Sequence, residues 1–271
     1  MKIRANRFVV GDYVEVDVVP VPEEENSSLV VKGNKKRGYV TSPEKQISND
    51  RRTFKYLRMV LQGNFEKDDY YMTLTFKMAE IPLPNEVDVA KKHLGNFLDK
   101  IRRRYKKAGI ECKYVWVMEY ELDDQGEYMT KVHFHVVMNR GISRDEIENC
   151  WSVGNGKNRK SLGLINTKRI RVNGDTKLED LAEYFAKGAR TKKGKKVWNS
   201  SRNLQRPYKT KNDHKFSRRQ LEKMATSNDE GRPLIEKKYP GYRITDIKYR
   251  YNDYRGWHLY LRMWKEAEDG G

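Results

Sequence analysis

Two histidines separated by a single residue, His133 and His135, lie within the apolar segment 131–138. This segment is rich in β-branched and aromatic residues, which predicts a β-strand. Side chains alternate between the faces of a strand, so both histidines point to one face and Phe134 points to the other. Two imidazoles on one rigid face supply half of a metal site. Because the same spacing also fits two structural histidines, a metal site requires a further ligand.

A carboxylate is the usual additional ligand where open positions are left for water or substrate. The alternating segment 114–120 predicts a second strand, which a turn at 125–126 returns into the histidine strand as a hairpin. A turn centred there sets Glu119 opposite His133, and Glu119 is therefore the predicted third ligand. Glu121 on the same face stays open as the alternative, because a slip of one residue in register moves the whole set.

A tyrosine and a lysine, Tyr184 and Lys187, are three residues apart in a segment with apolar residues at helical spacing. Positions three apart project from one face of a helix. A tyrosine hydroxyl titrates near ~10 and becomes a nucleophile when its proton is removed or its phenolate is stabilised. Lys187 can lower the pKa of Tyr184 or bind a phosphate, so the two residues are the predicted catalytic pair. A solvated tyrosine and lysine on a helix surface is the alternative.

The chain is strongly basic: its 271 residues include 56 Lys and Arg against 38 Asp and Glu, a net charge of +18. Such an excess predicts a polyanionic partner, and nucleic acid is the usual one. A basic, turn-rich segment at 190–219 could follow a DNA backbone and stack bases, although a solvated arm has the same composition. The candidate DNA-binding residues are Arg190, Lys192, Lys193, Lys195, Lys196, Trp198 and Arg202.

Cysteine usage and hydropathy restrict the class of protein further. Cys112 and Cys150 are the only cysteines and form no CxxC pair, which excludes a cysteine-rich zinc site and a disulfide scaffold and is typical of a reducing compartment. No apolar run approaches the ~18 residues of a membrane span, and the N-terminus carries no apolar signal core. We therefore expect a soluble cytoplasmic protein with no membrane partner, in a bacterial host if a phage or plasmid encodes it.

The elements that would position these residues follow one another as strand, helix, hairpin, helix, strand and helix, with further strands at the end. This order favours an α+β fold with a central antiparallel sheet. The predicted elements of the middle of the chain are strands at 70–77, 114–120, 131–138 and 165–172, and helices at 86–108, 143–151 and from 175 or 176 to 186. The predicted domain organisation is an N-terminal extension at 1–50, one domain at 51–225, and a C-terminal β-hairpin at 226–271 packed on the same domain.

Three motifs occur in a fixed order: 71–76 (Tyr-Met-Thr-Leu-Thr-Phe), then 133–135 (His-Phe-His), then 184–187 (Tyr-Phe-Ala-Lys). Together they resemble the three motifs of HUH endonucleases, in which U is a hydrophobic residue, here Phe134. Within that superfamily the chain is most similar to single-tyrosine rolling-circle replication initiators. The stretches at 64–65 and 201–204 resemble the phage and phage-like plasmid type in particular. The resemblance covers about residues 50–210, and the ordered triple is far more specific than any single motif.

The resemblance implies a ferredoxin-like or RNA-recognition-like sheet of the HUH type with flanking helices. It implies a Mn²⁺ or Mg²⁺ ion held by His133, His135 and Glu119, and cleavage of single-stranded DNA at a replication origin, often beside a hairpin. Tyr184 would keep the 5′ end as a phosphotyrosine, free a 3′ hydroxyl for a polymerase, and allow the strands to be rejoined later. A host polymerase and a host helicase are further expected partners, since no GxxxxGK[ST] loop for a fused helicase is present.

Alternative functions share much of this pattern. A single-tyrosine transposase or a plasmid relaxase is built on the same core, although relaxases usually place the tyrosine before the His motif. A nucleic-acid-binding regulator that has lost catalysis is a second class, and the presence of every candidate catalytic residue argues against it. A structural zinc module fits poorly because paired cysteines are absent. Tyr208 lies in basic sequence and is interpreted as a DNA or packing contact rather than as a nucleophile.

Overall fold

The structure is a computed structural model, and it describes residues 1–22, 43–154, 156–172, 174, 178–188 and 198–266. Of residues 43, 44, 46 and 186–188, only the backbone is described. The chain divides into two compact units. The central unit is Ser48–Leu204, and the terminal unit joins Met1–Ile47 to Gln205–Gly271.

The elements are numbered along the chain. The strands of the described residues are β1 (Lys2–Val10), β2 (Tyr13–Val21), β3 (Tyr70–Thr75), β4 (Tyr114–Leu122), β5 (Tyr128–Met138), β6 (Ser152–Val153), β7 (Lys160–Ser161), β8 (Ile165–Arg169), β9 (Trp198–Ser200), β10 (Tyr208–Asn212), β11 (Tyr242–Asn252) and β12 (Gly256–Lys265). The α-helices of the same ranges are α1 (Pro43–Asn64), α2 (Val87–Lys107), α3 (Arg144–Glu148), α4 (Glu179–Gly188), α5 (Arg218–Ala225) and α6 (Arg232–Lys238). None of these helices combines the length and the apolar character that a membrane crossing needs.

The central unit is built on a five-stranded sheet in the order β8-β3-β5-β4-β9, in which every neighbouring pair is antiparallel. The histidine strand β5 is the middle strand, between β3 and its hairpin partner β4. Helices accompany this sheet, so the predicted α+β fold with a central antiparallel sheet is confirmed. A middle strand has both edges paired, which holds its side chains in fixed positions.

Helices cover both faces of this sheet. On one face, Phe134 of β5 packs with the apolar stripe of α2, where Leu94, Phe97 and Ile101 are almost completely buried. On the other face, Val137 of β5 belongs to a core that includes residues of α1 and α4. Burial of one Leu or Phe side chain stabilises the fold by about 1.5–3 kcal/mol, so both layers hold the sheet firmly. The histidines of β5 share the second face with Val137, since side chains two apart point the same way.

Helix α1 begins at Pro43, whereas the sequence predicts a helix that starts at Asn49 or Asp50. Proline is favoured in the first turn of a helix because its missing N–H would have no partner there and its φ angle is already helical. The apolar residues that the sequence does identify, Leu57 and Leu61, form the buried side of this helix.

The terminal unit is a second five-stranded antiparallel sheet, in the order β10-β1-β2-β12-β11. Its core combines strand residues such as Val16 and Leu261 with Leu221 of α5 and Ile235 of α6. At one side of the sheet, the Asp213 carboxylate accepts hydrogen bonds of 2.6 and 3.0 Å from Arg4.

This division differs from the predicted one. The sequence predicts a loose extension over 1–50, whereas β1 and β2 form a hairpin inside the terminal sheet. It also predicts that the last hairpin packs on a domain at 51–225, whereas β12 pairs with β2 and residues 205–225 belong to the terminal unit. Strand β1 was not predicted because Arg4 and Asn6 interrupt its apolar residues. Pairing between strands that lie more than two hundred residues apart leaves no local pattern in the sequence.

Candidate metal and nucleophile site

The β4–β5 register places a carboxylate beside the histidines. Glu119 of β4 lies directly opposite His133 of β5, as the hairpin centred at 125–126 predicts. The register becomes irregular between Glu119 and Glu121, so Glu121 pairs with Thr130. Glu121 is exposed and does not belong to the group of potential ligands that contains Glu119. The register therefore brings the predicted third ligand, and not its alternative, to the histidine pair.

Glu119, His133 and His135 form a group whose potential ligand atoms all lie within 4.8 Å of one another. Oε2 of Glu119 lies 3.3 Å from Nε2 of His133 and 3.1 Å from Nε2 of His135. Ligands bound to one divalent ion at ~2.1 Å are separated by roughly 3 Å, so these atoms are already close to a coordinating arrangement. Two imidazole nitrogens and one carboxylate are a donor set that divalent transition-metal ions accept while other positions stay open. The group therefore fits a divalent metal ion.

Each histidine is held through its other ring nitrogen. Nδ1 of His135 lies 2.8 Å from the Tyr71 hydroxyl and 3.2 Å from Oγ1 of Thr73. Nδ1 of His133 lies 2.8 Å from the carbonyl oxygen of Lys131, to which it can only donate. A proton on Nδ1 leaves the lone pair of Nε2 free, which is the state that a metal ligand needs.

Burial keeps His135 in this neutral state. The side chain is almost fully buried, and this loss of solvent lowers the pKa of His135 below its usual value. The neighbouring His133 lowers the pKa further, while Glu119 acts in the opposite direction. At neutral pH the ring is therefore uncharged and its Nε2 lone pair is available, because a lowered pKa means that protonation requires more acidic conditions.

Tyr184 reaches the same nitrogen from helix α4. Its hydroxyl lies 3.0 Å from Nε2 of His135, and the two rings are nearly perpendicular with centroids 5.0 Å apart. The helix is anchored by Ala182 and Phe185, which are buried in the core on this face of the sheet. Tyr184 itself is 45% exposed, so its hydroxyl faces the ligand group while the side chain stays accessible to a substrate.

The pKa of Tyr184 is raised above its usual value, first by partial burial and then by the negative charge of Glu119. A hydrogen bond from Tyr71 acts in the opposite direction, because it stabilises the phenolate of Tyr184. Tyr71 itself is more deeply buried, and this raises the pKa of Tyr71 to about 12. Of these two hydroxyls, that of Tyr184 is therefore the easier to deprotonate.

The sequence does not single out Tyr71 and Thr73 as parts of the site. They lie two apart on β3, hence on one face, and Thr73 is directly opposite His135. The signal that could have found them is the alternating segment at 71–76, once β3 is known to pair with the histidine strand. That pairing joins strands about sixty residues apart and is not visible in any hairpin pattern.

The remaining predicted site residues fall mostly outside the described part of the chain. Arg190, Lys192, Lys193, Lys195 and Lys196 lie outside the described residues, as does the side chain of Lys187, whose backbone belongs to α4. Trp198 lies in β9 opposite Val117, and its ring centroid is 6.1 Å from that of Tyr56, so it packs against the core. Arg202 follows β9 and is exposed.

These features define an α+β domain in which a His–His–Glu group on the middle strands of an antiparallel sheet faces a tyrosine from a flanking helix. Residues 69–193 match the model of a family described as Replication-associated protein ORF2. The matched range contains the three potential ligands and Tyr184. The predicted family resemblance is thereby confirmed, and the match supports a role as a replication initiator that binds DNA. No curated protein and no solved structure gives a significant match to the chain.

Proposed function

We propose that this protein initiates rolling-circle replication by nicking single-stranded origin DNA with Tyr184 as the nucleophile. The observation that carries the proposal is the 3.0 Å distance between the Tyr184 hydroxyl and Nε2 of His135, a potential metal ligand. An accessible hydroxyl directly beside a metal-binding group is what an attack on a metal-bound phosphate requires. The match to a replication-associated family supports the same substrate.

In this proposal Glu119, His133 and His135 hold a Mn²⁺ or Mg²⁺ ion. When bound, the ion supplies a Lewis acid that polarises the scissile phosphate and neutralises charge that develops on it. Tyr71 and Thr73 fix the His135 ring through Nδ1, so that Nε2 keeps its direction during the reaction. Tyr71 also stabilises the phenolate of Tyr184 through its hydrogen bond.

The chemical step exchanges one phosphodiester for another. The Tyr184 oxygen forms a bond to the phosphorus, the bond from phosphorus to the 3′ oxygen breaks, and the released 3′ oxygen takes up a proton while Tyr184 loses one. The 5′ end stays on the protein as a phosphotyrosine, and the free 3′ hydroxyl can prime a polymerase. Attack by a 3′ hydroxyl on the phosphotyrosine reverses the step and rejoins strands, because the linkage conserves the energy of the broken bond.

Lys187 has two possible roles in this scheme. Its position three residues after Tyr184 in α4 places it on the same side of the helix as the nucleophile. A cation there would either lower the pKa of Tyr184 or bind a phosphate oxygen. Both roles accelerate nicking, so replacement of Lys187 by Met should slow the step without removing the covalent product.

The proposal is tested by following which DNA fragment becomes attached to the protein. Single-stranded oligonucleotides that tile the DNA element encoding the chain are labelled at either end and incubated with the protein and Mn²⁺. A 3′ label should remain with the protein on a denaturing gel, since that fragment carries the 5′ phosphate. A 5′ label should appear in a shorter free fragment that a polymerase can extend.

Matched tyrosine variants assign the nucleophile. Tyr184→Phe should reduce adduct formation by at least about 10³-fold, because removal of a nucleophile eliminates most of the acceleration that the site provides. Tyr71→Phe is the control, since Tyr71 lies beside the same histidine but is less exposed and has the higher pKa. At saturating Mn²⁺, Tyr71→Phe should still form the adduct. Equal adduct formation by wild type and Tyr184→Phe would refute the assignment.

A further inference from the structure

The hairpin of β11 and β12 extends beyond the rest of the terminal sheet. β12 pairs with β2 from Trp264 to Leu259, while its pairing with β11 continues to Gly256. The last three residue pairs therefore form a two-stranded ribbon that projects past the end of the β2 pairing by roughly 10 Å. We call residues 248–257, which include this projection and its turn, the ribbon tip.

The ribbon tip presents aromatic side chains to solvent. Tyr251 is 59% exposed and Tyr254, in the turn, is 91% exposed. Trp257 lies opposite Tyr251, with ring centroids 5.1 Å apart, and Tyr249 contacts the other side of Trp257 at 6.4 Å. Tyr251 thus belongs to a short aromatic row that continues into the core, while Tyr254 lies at the end of the ribbon.

The turn that carries Tyr254 is ordered by its own sequence. Oδ1 of Asn252 accepts hydrogen bonds from the backbone N–H groups of Tyr254 at 3.1 Å and of Arg255 at 3.0 Å. Gly256 has a φ angle of +83°, which closes a three-residue hairpin loop and favours glycine. A preformed turn presents Tyr254 with little loss of conformational entropy on binding.

The charge of the ribbon tip matches a polyanion. Lys248, Arg250 and Arg255 are all exposed, and Asp253 is the single acidic residue of the segment. Lys248 and Arg250 lie on the ribbon face opposite Tyr249 and Tyr251, since side chains alternate along β11. Cations flank the exposed rings on this short projection, which is the combination that binds unpaired nucleic acid without reading its sequence.

We propose that the ribbon tip is a second DNA-binding element, in which Tyr251 and Tyr254 stack on unpaired bases and Lys248, Arg250 and Arg255 contact phosphates. From the proposed function this inference takes only that the substrate is single-stranded DNA. It adds a contact outside the unit that carries Tyr184, and that contact needs no metal ion. A single-strand contact of this kind would hold origin DNA before and after the nick.

The test is a binding titration in EDTA, where nicking does not occur. Fluorescence anisotropy of a labelled single-stranded oligonucleotide is measured for wild type and for Tyr251→Ala/Tyr254→Ala. Because each stacked base contributes a substantial part of the affinity, the double variant should bind roughly five-fold or more weakly. Tyr254→Phe keeps the ring and should restore the affinity of that position. Tyr208→Ala is the matched control, since Tyr208 is 58% exposed on β10 of the same unit and should be dispensable.

The charged residues give an independent readout. Arg250→Gln/Arg255→Gln should reduce the dependence of affinity on salt by about 0.7 in logarithmic slope for each lost phosphate contact, whereas the tyrosine variants should leave this slope unchanged. Unchanged affinity in the double tyrosine variant would overturn the proposal, as would an equal loss in Tyr208→Ala. Loss of duplex binding alone, with single-strand binding intact, would overturn the stacking role. Each result is independent of whether the protein nicks DNA, so failure of the proposed nicking leaves this inference testable.

Discussion

The Tyr184 hydroxyl and Nε2 of His135 lie 3.0 Å apart, although the two residues are 49 positions apart in the chain. Oε2 of Glu119 lies 3.1 Å from the same nitrogen. One ring nitrogen thus faces both the proposed nucleophile and a carboxylate. If His135 binds a metal ion through Nε2, then that ion lies beside the tyrosine hydroxyl, and perturbation of His135 should affect metal binding and nicking together.

Replacement of His135 by Ala should abolish the stabilisation that Mn²⁺ gives to the wild-type protein. An ion that binds only the folded state at a hundred times its dissociation constant stabilises it by about 2.7 kcal/mol. The measurement is the difference in melting temperature with and without Mn²⁺, taken within each variant so that any change in intrinsic stability cancels. His214→Ala, an exposed histidine of the terminal unit, is the control and should respond to Mn²⁺ as wild type does. A full Mn²⁺ response in His135→Ala would rule out this ligand.

Tyr71→Phe should weaken Mn²⁺ binding by roughly 10–100-fold, which is the usual effect of removing a group that orients a ligand histidine. The Tyr71 hydroxyl lies 2.8 Å from Nδ1 of His135, and its loss leaves Thr73 as the remaining side-chain partner there. Isothermal titration calorimetry measures the affinity. Tyr70→Phe is the matched control: the Tyr70 hydroxyl donates to the carbonyl oxygen of Ile142 on the other face of β3, so its removal should leave Mn²⁺ affinity unchanged. Equal effects of the two variants would argue against an orienting role.

Nicking should become faster as pH rises and then reach a plateau. The pKa of Tyr184 is raised by burial and by Glu119, so the hydroxyl is protonated at neutral pH and its reactive phenolate increases tenfold per pH unit below that pKa. The rate of adduct formation in a single turnover at saturating Mn²⁺ measures this dependence. Tyr71→Phe removes the hydrogen bond that lowers the pKa of Tyr184, and its profile should therefore lie at higher pH. A rate that falls with rising pH would exclude the phenolate as the attacking group.

Local patterns account for the part of the site that the sequence predicts. The β4–β5 hairpin is closed by a short turn, so its register could be counted from Gln125 and Gly126, and the count placed Glu119 opposite His133 as observed. Tyr184 could be placed on a helix from the spacing of apolar residues around it. In each case the relevant information lies within about twenty residues of the chain.

Contacts between distant segments account for what the sequence does not predict. Tyr71 reaches His135 only because β3 pairs with β5, and no turn between the two strands specifies that pairing. Strand β1 joins β10 across about two hundred residues, so its few buried positions, such as Ile3 and Ala5, carry no readable pattern. Packing decides these pairings, and propensity alone does not.

Gly163→Ala should destabilise the central unit and weaken its metal site. A Cβ atom at Gly163 would lie 2.0 Å from the carbonyl oxygen of Thr75 and 2.8 Å from Cα of Phe76, which are backbone atoms and cannot rotate away. The backbone N–H of Thr75 donates to the carbonyl oxygen of Leu164 at 2.9 Å, so the loop and the end of β3 must shift together. Overpacking of this kind costs typically about 1–3 kcal/mol. Because Thr75 lies opposite His133, Mn²⁺ affinity should fall as well.

Gly95→Ala is the matched control for this substitution, because both changes add the same methyl group to the central unit. Gly95 lies within α2, and a Cβ there meets nothing within 4 Å. Alanine is the better helix former by about 1 kcal/mol, so Gly95→Ala should raise the melting temperature and leave Mn²⁺ affinity unchanged. Thermal denaturation followed by circular dichroism compares the two variants with wild type. If Gly163→Ala were as stable as Gly95→Ala, the close approach of the 162–164 loop to the end of β3 would be contradicted, and with it the support this loop gives to the strand opposite His133.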